Sequence, residues 1–123
     1  MSTMRRSICA AVLALCLGVA LSFNVAEAAR NSSWWVVLGS VATPDNNFTP
    51  DVEASVRRIE AAARRCGLSP FQDFSSKFQN FAPGYAVVVV GAYASKATAD
   101  QVLAKARRCL PGAYVKQGSY AGE

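Results

Sequence analysis

The residues most able to do chemistry here are two thiols, each placed behind a pair of arginines: Arg64-Arg65-Cys66 and Arg107-Arg108-Cys109. A cysteine can serve as nucleophile, metal ligand or disulfide partner. A nucleophilic thiol needs a neighbouring base, and the chain contains no histidine. The same lack, with only two cysteines beyond the N-terminal apolar stretch, prevents assembly of any standard zinc set. The carboxylates Asp45, Asp51, Glu53, Glu60, Asp73 and Asp100 are scattered, and no spacing pairs them for acid–base work. Gly39 and Gly91 end separate apolar runs, so they do not form one phosphate-cradling loop. No catalytic residue, metal or cofactor is therefore expected. Aromatic rings such as Trp35 and Tyr85 remain as candidate packing or binding groups.

These groups must be positioned by the elements around them. Trp34 to Val41 is an aromatic-led, β-branched run, and so is Tyr85 to Tyr93. After the first run, Thr43-Pro44-Asp45-Asn46-Asn47 is rich in turn residues. Thr49 then reads as an N-cap with Pro50 at the first helical position, where a missing N–H costs nothing. Val52, Val56, Ile59, Ala63 and Cys66 recur at helical spacing, and Gly67 is the expected left-handed cap. Pro70 to Phe74 is a short strand and Ser75 to Gly84 a loop. A second helix opens at Ser95, turns Ala99, Val102, Leu103, Ala106 and Cys109 inward, and stops at Pro111-Gly112. Ala113 to Gln117 alternates as a last strand. The order is βαββαβ. It predicts an α+β, ferredoxin-like domain: a four-stranded antiparallel sheet with both helices on one face.

The N-terminus obeys a different grammar. Arg5 and Arg6 precede an apolar run from Ile8 to Val25, and Ala26-Glu27-Ala28 forms an A-x-A site. Residues 1–28 thus read as a secretory signal peptide cleaved after Ala28, which predicts a secreted or periplasmic protein. An uncleaved anchor is the alternative, since the run approaches the ~20 residues that span a bilayer. Loss of Arg5, Arg6 and Glu27 takes the formal charge from +5 to +4. A mildly basic balance suits anionic envelope surfaces as well as plain solubility. Export also removes nucleic acid as a partner, and leaves contact with the membrane to the signal segment alone.

The two halves nearly repeat one another: an aromatic-led strand ending at a glycine, then an amphipathic helix closing on Arg-Arg-Cys. With the loop Ser75-Ser76-Lys77-Phe78, the turn Pro83-Gly84-Tyr85 and the closing Ala113-Tyr114-Val115-Lys116, this pattern resembles the SPOR (sporulation-related repeat) domains of exported bacterial proteins. The resemblance covers residues 34–120, leaving 29–33 as a short N-terminal segment and 121–123 as a tail. It implies a non-catalytic module that binds peptidoglycan, favouring glycan strands stripped of their peptides, on the open face of the sheet. The implied contacts are Trp35, Val37, Tyr85, Val87 and Val89; the expected topology adds Ser40, Ser75, Ser76 and Lys77 at the rim.

Strand alternation puts Trp35 and Val37 on one face and Trp34, Val36 and Leu38 on the other. Where the resembled family carries polar side chains, often a Gln at the Val37 position, this chain has Val37, Val87 and Val89. Valines cannot hydrogen-bond sugar hydroxyls. The competing expectation is an apolar sheet face that docks another envelope protein or a second copy; a third is that the valines simply pack under Phe78 and Phe81.

Two cysteines in an oxidising compartment usually pair. Yet antiparallel helices place their C-terminal ends at opposite ends of a layer, and the first helix is about 24 Å long. Either one helix is tilted or shortened so that Cys66 and Cys109 meet, or the thiols are free, buried or intermolecular.

Overall fold

The computed structural model describes residues 33–122; the signal-peptide reading and its cleavage site at Ala28 lie outside the described residues. Four strands, β1 (Ser33–Ala42), β2 (Phe71–Phe74), β3 (Tyr85–Tyr93) and β4 (Tyr114–Gly118), form one sheet in the order β2-β3-β1-β4. All neighbours are antiparallel. Helix α1 (Pro50–Arg65) follows β1, and α2 (Lys96–Ala106) follows β3. The chain is therefore an α+β protein with a ferredoxin-like βαββαβ fold. Among the described residues no helix is long and apolar enough to cross a membrane.

The helices begin where their caps dictate. Thr49 Oγ1 accepts the Val52 N–H at 3.3 Å ahead of Pro50, and Ser95 Oγ accepts that of Thr98 at 3.2 Å. Asp51 and Glu53 lie in the first turn of α1, Arg64 and Arg65 in its last, each sign complementing the helix dipole. Gly67 takes φ +75°, and the Gly67 and Leu68 amides bond back to Arg64 and Ala63. Asp45 and Asn46 both adopt φ +56° in the turn after β1, as their short polar side chains permit.

Each sheet face has its own apolar cluster. Val36 and Leu38 of β1, Ala86, Val88 and Val90 of β3, Val52, Val56 and Ala63 of α1, and Ala99 and Ala106 of α2 form the helix-side core. Trp34 packs against it and is half-buried. On the helix-free side, Trp35, Val37, Val87, Val89 and Phe78 form a second cluster with Phe71, Phe81 and Tyr120 around it. The unbroken apolar run from Ala86 to Val90 is explained by this arrangement, for both faces of β3 are covered.

Cys66 and Cys109 are bonded, with Cα atoms 6.1 Å apart. The expected obstacle disappears because α2 is short. It ends at Ala106, well before Pro111-Gly112. Arg108 and Cys109 then continue as a tightened turn, their amides bonding to Lys105 and Ala106. The end of α2 thus stops part-way along the layer, beside the end of α1.

Candidate binding site on the helix-free face

The helix-free face has two regions. Over one, the chain closes on itself. The segment after β2 and the segment after β4 meet there as a clasp: Phe78 bridges to Tyr120, Gln79 N donates to Ser119 O at 2.8 Å, and Ala121 N donates to Lys77 O at 2.9 Å. Tyr120 Oη donates to Asp73 on β2. Beneath the clasp, Trp35 lies edge-on to Phe78 and Tyr120, with ring centroids 5.1 and 5.6 Å away, and Phe81 stacks on Phe78 at 4.7 Å. The indole Nε1 donates to Gly118 O at 2.8 Å. Gly118 itself has no room for a side chain, since a Cβ there would fall 2.1 Å from Gln79 O.

This arrangement corrects several expected contacts. Trp35 is only 3% exposed and Val37 and Val89 are fully buried, so none of the three presents a surface to a glycan. The apolar face that a protein partner or second copy would need is likewise covered by the chain's own Phe78, Phe81 and Tyr120. The expectation that the valines pack under Phe78 and Phe81 holds; alternation identified which residues share this face but carried no sign that Tyr120 would also fold back over them.

Beside the clasp the face stays open as a groove of about 420 Å³. Its floor is Gly39, Ser40 and Val87; Tyr85, Tyr114 and Lys116 stand around it, and Phe81 and Ser75 border it on the clasp side. Tyr85 and Tyr114 are among the most exposed large apolar residues, at 40% and 44%. Register fixes their relation. Tyr85 pairs with Ala42 on one side of β1, and Tyr114 pairs with Val37 on the other. The two phenols therefore sit at diagonal ends of a groove that crosses β1.

Ser40 reaches the groove through a bulge. The β1–β3 register slips by one residue between Val37 and Gly39, so strict alternation fails after Leu38. Val41 turns to the helix-side core, and Gly39 approaches α1 so closely that a Cβ would meet Ile59 Cδ1 at 2.7 Å. Ser40 is left exposed on the groove side.

Of the expected site residues, the fold thus gathers Ser40, Ser75, Tyr85 and Val87. Ser75 is buried, and its Oγ accepts the Tyr85 amide at 3.1 Å, which anchors the start of β3. Ser76 and Lys77 fall outside the groove; Lys77 instead lies 3.6 Å from Asp73. Tyr114 and Lys116 were missed, although their spacing of two on an alternating strand next to β1 placed both on this face. Lys116 Nζ sits 5.2 Å above the Phe81 ring. No Asp, Glu, His or Cys lines the groove. Among the described residues no group of three or more such side chains could hold a metal ion. The arrangement can stack planar apolar faces, exchange hydrogen bonds through Ser40 and two phenols, and attract negative charge through one ammonium.

No family model, curated protein or solved structure matches the chain. The SPOR likeness rests on the residues quoted for it alone.

Proposed function

We propose that this chain is an exported, non-catalytic module that binds peptidoglycan glycan strands in the groove of its helix-free sheet face. One observation carries the reading: two exposed tyrosines, Tyr85 and Tyr114, flank a hydroxyl-bearing groove of about 420 Å³. A cleft of that size with a few convergent polar groups is typical of a small-ligand subsite. Amino sugars present apolar ring faces edged by hydroxyls and amides, which match phenol rings and Ser40. Trp35 no longer belongs to the binding set; its place is taken by Tyr114. The docking alternative has no observation in its favour, because the valines it requires are covered.

The test is co-sedimentation with purified sacculi, intact and after an amidase has removed the peptides. Binding to the wall, strongest after stripping, is the expected result. Tyr85→Ala and Tyr114→Ala should each weaken it by at least about tenfold, the equivalent of about 1.4 kcal/mol, with thermal stability nearly unchanged. Absence of binding to both walls would refute the proposal, as would wild-type binding by both variants.

A further inference from the structure

The disulfide does more than join two helices. It brings the two Arg-Arg-Cys segments to one place, so that Arg64, Arg65, Lys105, Arg107 and Arg108 all lie within a few residues of one bridge. All five are exposed. Lys105 confirms the juxtaposition independently, for its Nζ lies 3.2 Å from where a Cβ on Gly67 would stand, across the end of α1. Among the described residues one acid pairs with this group: Glu60, 3.5 Å from Arg64. Arg107 Nε donates to Ala113 O at 3.1 Å. Arg65, Arg108 and Lys105 make no ion pair or side-chain hydrogen bond among the described residues.

Cations at helix C-termini ordinarily complement the dipole and the last carbonyls. Here backbone amides already serve much of that second need. Gly67 and Leu68 cap α1, while Arg108, Cys109 and Leu110 bond back to Lys105 and Ala106 at the end of α2. The guanidinium groups of Arg65 and Arg108 are consequently left facing solvent. Planar, weakly hydrated forks of this kind match phosphate oxygens in a bidentate manner.

We infer that the disulfide-joined ends of α1 and α2 form a cationic surface that docks on anionic phospholipid headgroups. Charge complementarity selects the occupant, and the layout favours a flat sheet of phosphates: the group spans the exposed ends of two helices rather than a cleft. It also belongs to the helix layer, whereas the tyrosine groove opens on the opposite side of the sheet. Docking there leaves the groove accessible.

The test uses the chain from Ala29 onward, which holds both helices, the whole sheet and both apolar clusters. Vesicles of mixed phosphatidylglycerol and phosphatidylcholine should bind it, and pure phosphatidylcholine should not. Binding should fall steeply with added salt, as screening shortens the reach of exposed charges. Each basic residue near an anionic surface is worth about a fivefold factor, so the double change Arg65→Gln with Arg108→Gln should weaken binding about 30-fold. Arg57→Gln with Arg58→Gln removes the same charge from α1 away from the bridge, and should cost much less. Equal losses from the two double variants would mean net charge alone acts and would overturn the inference. Equal binding to both vesicle types would also overturn it, as would binding to soluble polyphosphate without binding to vesicles.

Discussion

Removing the Cys66–Cys109 bridge should lower the stability of the domain by about 4 kcal/mol. The two residues are 43 positions apart. The loop they close contains β2, β3 and α2, so the unfolded chain gains a large conformational freedom when it opens. The chain-entropy relation converts that loop length to the figure above, an amount comparable with the whole stability of many small domains. Thermal melts of the oxidised protein and of a Cys66→Ala/Cys109→Ala variant provide the measurement. For a domain of this size each kcal/mol moves the midpoint by roughly 4–8 °C, so a drop of about 16–32 °C is expected. Reductant should shift the wild-type melt to that of the variant and leave the variant itself unmoved. A shift of only a few degrees would show that the two apolar clusters hold the fold without the bridge.

Trp35→Ala should cost about 3–5 kcal/mol, the usual loss for a large aromatic removed from a close-packed interior. Its indole supports Phe78 and Tyr120 and fills the space against Gly91, where a Cβ would lie 2.7 Å from Cε3. Trp35→Phe separates shape from polarity. It retains most of the contact area but leaves the buried Gly118 carbonyl without the indole donor, for about 1–3 kcal/mol. Urea unfolding of both variants beside Tyr85→Ala gives the comparison. The expected order of midpoints is wild type near Tyr85→Ala, then Trp35→Phe, then Trp35→Ala. A stable Trp35→Ala protein would mean that the clasp is not integral to the fold. A collapse of Tyr85→Ala would move that ring from the groove to the core and remove one wall of the proposed site.

The difference between these two aromatics marks how far local pattern reaches. Both lead β-branched runs and both point to the helix-free face, so alternation treats them alike. Their fates separate because Phe78 and Tyr120, from loops 42 residues apart, close over Trp35 and leave Tyr85 at the margin. The bulge after Val37 has the same character. Its effect on Ser40 and Val41 depends on pairing with β3, and no residue within β1 announces it.

By itself the sequence determined the element types, their order and the layered architecture. Caps such as Thr49-Pro50 and Ser95, the helical spacing of Val52, Val56 and Ala63, and two aromatic-led strands act within a few residues, and βαββαβ order leaves few topologies open. Tertiary structure alone decided which part of the sheet face stays open, which tyrosines stand beside it, and whether two helix-end thiols meet. Each of those depends on where distant segments come to rest: a clasp formed by both loops, a register slip between strands, and a second helix ending at Ala106. Such contacts are set by packing across the whole domain, and periodicity along the chain carries no record of them.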